Sequence, residues 1–242
     1  MPFLALDALA EGQLVPGVPL AGLAVVCPAA AAAILEHRRG GGAAVRALLR
    51  RSFDFRRVPA TAWYVPVLLL YPAVVVASYF VLRLTGSHVP EPSFSLTTTL
   101  LLAAGFFAAA LCEELGWSGY ATQPLLQRWG VLRAGLVVGA AWAVWHWGAL
   151  LQVGRSVPWI AWWSLGTVAM RLIMVWLFAH LGGSVFAMVL FHMTSNLAWQ
   201  LFPVSGSHFN VPLVAVMTVV VAAALVAPSA AAMRTNDSEP GA

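Results

Sequence analysis

Runs of about 20 apolar residues recur along most of this chain, each long enough to cross a hydrocarbon core of ~30 Å. They fall at residues 13–35, 62–84, 96–116 (continuing to about 127), 131–152, 158–180, 184–201 and 211–233. The expected fold is therefore all-α: a polytopic membrane bundle of about seven transmembrane helices. A chain that is 61% hydrophobic and 9% charged, with 11 Trp and a mean hydropathy of +0.83, is far from a soluble domain. One transmembrane domain over 13–233 is the economical organisation, between an N-terminal tail at 1–12 and a polar, disordered C-terminal tail at 234–242. No fixed-period repeat is visible, and the N-terminus lacks the basic n-region and A-x-A site of a cleaved signal peptide.

All 13 basic residues are arginine. Arg38, Arg39, Arg46, Arg50, Arg51, Arg56 and Arg57 crowd one connecting segment, residues 36–58. Basic loops stay cytoplasmic, so this segment and the C-terminus are expected inside, with the N-terminus outside, in a bacterial plasma membrane. Arg128, Arg133 and Arg234 agree with that orientation; Arg83 and Arg155 oppose it. The net charge of +4 thus reports orientation. Nucleic acid is not an expected partner, because the loop has no aromatic-laced basic groove. Within it, residues 40–57 have the spacing of a short helix lying in the membrane interface, suited to anionic lipid. Cys27 and Cys112 both lie in spans and read as small buried hydrophobes. Nothing in the sequence sets an oligomeric state.

The chain has nine acidic residues, and only Glu113 and Glu114 fall inside an apparent span. A charge near the bilayer centre costs ~2.5–3.5 kcal/mol or more, which makes an intramembrane carboxylate pair a functional-site candidate. Other polar residues join it within the spans. Ser118 follows Glu114 by four positions, and His146 lies one turn after Trp142. His192, Asn196 and Gln200 share a helix face. Arg171 is the remaining charge. Counted from Arg128, Arg133 and Gly183, residues Glu113, His146 and His192 are about 22, 20 and 14 Å deep at ~1.5 Å per residue. Three helices thereby bring Glu, His and His/Asn to one level. Singly, each has a plainer reading: His146 as a cap on a neighbouring helix, His192 and Asn196 as interhelical glue, and Trp142 as packing.

Together these side chains suit water attack on an amide. A partly desolvated carboxylate can act as general base, His146 can hold the same water and carry its proton, and His192 and Asn196 can donate to an oxyanion. No Ser-His-Asp set or HExxH motif is present. Cys112 points about 100° away from Glu113 on a helix.

At these residues the chain resembles the CPBP family, which comprises the CAAX-protease and bacteriocin-processing proteins, including Rce1-like and lysostaphin-resistance-protein-A-like members. The family's EExxxR motif is similar to Glu113-Glu114-Leu-Gly-Trp-Ser118, its FxxxH to Trp142-Ala-Val-Trp-His146, and its HxxxN to His192-Met-Thr-Ser-Asn196. The Arg-rich segment before a WY-type span resembles Arg46–Tyr64. The resemblance covers roughly residues 25–200 and implies an intramembrane endopeptidase in which Glu113 and His146 activate water while His192 and Asn196 form the oxyanion site. It implies Glu114 as a further catalytic carboxylate and a membrane-associated, lipidated peptide as substrate. No cofactor is required by that mechanism. Members are often labelled metalloproteases, and Glu113, His146 and His192 are able in principle to ligate zinc.

Ser118 departs from the motif, whose arginine would pair with the second glutamate; serine offers only a neutral hydrogen bond. Arg171 is the candidate replacement, because a buried arginine needs a carboxylate and the spans offer only Glu113 and Glu114. The leading function is proteolysis in a cavity open to the cytoplasm, the side of the arginine-rich loop. Ser118 keeps a non-catalytic relative, acting in binding or bacteriocin self-immunity, as the alternative. A small proton-coupled transporter is a third reading, since Glu/His/Arg sets also mark ion paths.

Overall fold

The computed structural model describes residues 13–15, 18–19 and 24–236. A two-stranded antiparallel ribbon pairs β1 (Gln13–Val15) with β2 (Val18–Pro19), and the described residues after it are helical or connecting segments. The helices are α1 (Cys27–Arg50), α2 (Tyr64–Leu84), α3 (Leu96–Gly116), α4 (Gln123–Gln152), α5 (Val157–His180), α6 (Val185–Leu201) and α7 (Val211–Asn236). A π-helical stretch, Trp117–Thr122, joins α3 to α4. Among the described residues four stretches are long and apolar enough to cross a membrane: Thr61–Leu84, Leu96–Gln152, Val157–His180 and Val211–Pro228. The chain is an all-α membrane helical bundle.

Two sequence expectations change at the N-terminal side. The run at 13–35 is not one helix: part of it forms the ribbon, and α1 starts only at Cys27, with Pro28 in its first turn. Proline is suited to that position because the first helical N–H groups lack intrahelical partners anyway. The expected interfacial helix at 40–57 is instead the second half of α1 followed by two 3₁₀ turns, Arg51–Phe53 and Phe55–Arg57. Backbone at Gly40–Gly41 leaves the helical region there, and Ala32 and Leu48 from the two halves of α1 meet Leu115 of α3 in a small apolar cluster. At the other end α7 stays helical to Asn236, past the expected start of the tail at 234. The expected tails at 1–12 and 237–242 lie outside the described residues.

The central core is built by α2 to α7, with Ile173, Met174, Leu177 and Phe178 of α5 fully or almost fully buried. Helix α4 packs on α5, α5 on α7, α3 on α6, and α2 on α6. Gly130, at φ +71°, lets the chain turn back after the π-helical stretch, a conformation costly for any residue with a Cβ. Gly139 allows α4 and α5 to approach closely: a Cβ there would sit 3.1 Å from Val168 Cα and 3.2 Å from Arg171 Cβ. That close crossing brings Arg171 toward the glutamates.

The two ends of the bundle are fastened differently. At one end the arginine-rich loop grips the interhelical turns. Arg51 donates to the Gly119 carbonyl, and its other Nη donates to Gly183 at 2.8 Å. Burial pushes the Arg51 guanidinium below its usual pKa, with Asp54 opposing that shift. Asp54 accepts from Ser184 Oγ at 2.8 Å, Val185 N at 3.2 Å and Phe186 N at 3.0 Å, closing the N-terminus of α6. At the far end Ser93 N donates to Pro203 O at 3.0 Å, and Tyr79 and Phe202 pack edge to face at 5.1 Å.

Candidate active site

Glu113 and Glu114 are adjacent on α3 yet have different surroundings. Glu114 is fully buried. Arg171 of α5 clasps it with both terminal nitrogens, Nη1 to Oε2 at 2.8 Å and Nη2 to Oε1 at 2.9 Å. Ser118 Oγ donates to Oε2, and His192 Nδ1 lies 3.0 Å from Oε1. A bidentate arginine plus two further donors is the arrangement that a buried carboxylate needs, since several kcal/mol of desolvation per ion (roughly) must be offset.

Among the described residues no cation forms an ion pair with Glu113. Its partner is Trp142 Nε1, which donates to Oε2 at 2.7 Å. Trp142 does more than fill space: the Arg171 guanidinium lies 4.0 Å from its ring centroid, and His192 meets it edge on at 5.0 Å. Its backbone carbonyl receives His146 Nδ1 at 2.8 Å. A carbonyl can only accept, so Nδ1 carries the proton and Nε2 is the nitrogen left for other work. The imidazole is further boxed by Trp145 at 4.6 Å and Trp163 at 5.1 Å. From the sequence, Trp142 held only a supporting place and Trp163 did not stand out. The signal at 142 was an indole N–H where the motif has phenylalanine.

A cavity of about 290 Å³ joins Glu113, His146, His192 and Asn196, with Trp142 in its wall. Asn196 Oδ1 accepts from Trp199 Nε1 at 3.3 Å, which turns the amide so that Nδ2 is the free donor end. Tyr71 and Thr167, which the sequence did not point to, also line it. Glu114, Arg171 and Ser118 stand behind this wall rather than in it. The structure therefore separates the two glutamates into one that faces the cavity and one that anchors His192.

Two expectations about placement need correction. Arg51 fastens Gly119, so Glu113 is only six residues from that end of the bundle, about 9 Å along a helix; counting from Arg128 overstated its depth. The cavity also extends away from the arginine side. Beyond His146 the cavity is lined by Val153, Arg155, Trp159, Phe209 and Val211, residues at the opposite end of the bundle.

Among the described residues no three His, Cys, Asp or Glu side chains are grouped as a metal ion requires. His192 Nδ1 and Glu114 are already engaged with each other.

Residues 95–198 match the family model for the type II CAAX prenyl endopeptidase Rce1-like proteins. Over that stretch the chain is similar to the CPBP family. The matched stretch runs from the cap of α3 into α6 and contains every site residue described above except Tyr71 and the rim residues after 198. A curated relative, CAAX prenyl protease 2 of Methanococcus maripaludis, is 28% identical over 159 residues. The alignment covers 57% of this chain and 56% of the relative, so the chain spans little more than half the length of that relative.

Proposed function

We propose that this protein is an intramembrane endopeptidase that hydrolyses a peptide bond of a membrane-associated substrate. Glu113 takes a proton from water, and the water oxygen attacks the scissile carbonyl carbon. His146 Nε2 holds that water. Asn196 Nδ2 and the Nε2–H of His192 receive the oxyanion. Because His192 Nδ1–H is committed to Glu114, donation from Nε2 uses the imidazolium form, for which the Glu114 carboxylate is a counter-ion. Collapse of the tetrahedral intermediate breaks the C–N bond, and the proton held by Glu113 passes to the leaving amine.

The observation that carries this reading is one cavity joining an unpaired carboxylate, two imidazoles and an amide, against a neighbouring glutamate held by arginine. The family's EExxxR motif implies a cation on the second glutamate, and Arg171 on Glu114 supports an intact charge arrangement despite Ser118. Because a relative is named a CAAX prenyl protease, the first substrate to try is a prenylated peptide ending in a CAAX sequence. Purified protein in detergent should cleave it, read by mass spectrometry of the fragments, and His146→Ala should cut the rate by about 10²-fold or more. No cleavage across prenylated, acylated and unmodified peptides would overturn the proposal.

A further inference from the structure

Resting on the hydrolytic reading above, we propose that Arg155 is a specificity-determining residue of the same cavity, binding the free carboxylate at the end of the substrate chain. Three observations carry this: a guanidinium without a carboxylate in the cavity lining, a backbone that fixes it, and a short path from it to His146.

Arg155 is the one arginine among the residues that line the cavity, whose walls are otherwise mainly aromatic and aliphatic. Arg171 is paired with Glu114 and Arg83 with Glu91, but among the described residues no Asp or Glu pairs with Arg155. Its guanidinium lies over the Trp159 ring, 4.6 Å from the centroid. That contact occupies a face of the guanidinium plane and leaves the N–H donors at its edge, the fork that matches a carboxylate.

The backbone at Arg155 is pinned from both sides. Helix α4 ends in a Schellman motif: Gly154, at φ +74°, donates to Leu151 O at 3.0 Å, and Arg155 N donates to Leu150 O at 3.0 Å. Ser156 then caps α5, its Oγ accepting from Trp159 N at 3.4 Å. Arg155 is thereby fixed between the helix that carries His146 and the helix that carries Trp159 and Trp163.

Those tryptophans form a ledge between the two ends of the path. His146 lies 5.1 Å from Trp163, Trp163 stacks on Trp159 at 6.5 Å with planes 13° apart, and Trp159 carries the guanidinium. The straight separation of His146 and the guanidinium is no longer than those steps laid end to end. Allowing for the guanidinium–carboxylate contact itself, about three or four extended residues at ~3.3–3.6 Å each cover it. A peptide chain has one anionic end, so a cation at this distance selects the carboxyl side of the scissile bond to lie along the ledge. The ledge suits apolar side chains on that side.

Prenylated peptides that differ only in a C-terminal acid or amide test this with detergent-solubilised protein. The acid should have a kcat/KM about tenfold or more above that of the amide. The difference should lie in KM, since the cation holds the chain end in ground and transition states alike. Arg155→Met keeps the apolar stem and removes the charge, and its acid-to-amide ratio should fall to near one. Arg155→Glu should reverse the preference, favouring a chain capped by a cationic aminoethyl amide, a reversal that lost packing would not produce. Equal cleavage of acid and amide by the wild type overturns the inference, as does an unchanged ratio in an Arg155→Met protein of wild-type melting temperature. An amidated peptide ending in aspartate should behave as an amide; cleavage at the acid peptide's rate overturns the assignment to the chain end. Wild-type protein that cleaves no peptide overturns the hydrolytic reading. Equilibrium binding of the acid and amide peptides then decides the role of Arg155: about tenfold tighter binding of the acid supports it, and equal binding overturns it.

Discussion

Removing the Arg171 guanidinium would leave Glu114 buried with only Ser118 and His192 as partners and without its bidentate cation. Breaking such a pair from one side costs ~3–5 kcal/mol, so Arg171→Met should lower the melting temperature sharply in detergent. Adding Ser118→Arg to that variant returns a cation one turn from Glu114, in space that the Arg171 side chain has vacated. The double variant should recover a substantial part of the lost stability, a coupling that independent sites would not show. Trp142→Phe tests a different contact: it keeps the aromatic bulk and removes the donor to Glu113. The expected stability loss is about 1.5–3 kcal/mol, the range for a hydrogen bond to a charged group, measured by thermal unfolding. Glu113, Glu114, His146, His192 and Asn196 were legible because a polar group in an apolar span is costly unless it meets a partner or does chemistry. The approach of Arg171 to Glu114 was legible by elimination, there being so few carboxylates within the spans. The role of Trp142 was not, since an aromatic in a Trp-rich helix reads as packing until its N–H is seen on a carboxylate.

At the scale of elements, the hold on the site comes from caps and turns outside the cavity. Asp54 satisfies the first amides of α6, the helix that carries His192 and Asn196. Loss of such a cap costs ~0.5–2 kcal/mol, and Arg51 and Arg57 would also lose their nearest carboxylate. Asp54→Ala should therefore lower the melting temperature in detergent, and Asp54→Asn, which keeps one acceptor oxygen, should lower it less. The long apolar runs of α2 to α5 and of α7 gave themselves away by length and composition. Helix α1 did not, because hydropathy averages over Gly40–Gly41 and over the ribbon without registering a change of backbone path. The π-helical stretch Trp117–Thr122 was equally invisible: Ser118 reaches Glu114 with ordinary helical spacing, and the extra backbone turn begins only around it.

For the whole molecule, residue counts along helices measure distance from one end but say nothing about where a hollow opens. The meeting of Glu113, His146, His192 and Asn196 around one cavity was legible from those counts, while the run of that cavity toward Val153 and Arg155 was not. The bundle sets Glu114, Arg171 and Ser118 behind the wall and Glu113 in it, a division that two adjacent glutamates in a sequence cannot reveal. The proposed chemistry depends on Glu113 acting as the base toward water, and Glu113→Gln examines this with little structural disturbance, because the amide oxygen can still accept from Trp142. Steady-state cleavage of a prenylated peptide by wild-type and Glu113→Gln protein, matched for melting temperature, is the most direct measurement. A fall in kcat of about 10²-fold or more, with the substrate still bound, is the expected result. Turnover by Glu113→Gln at the wild-type rate would contradict that role for Glu113.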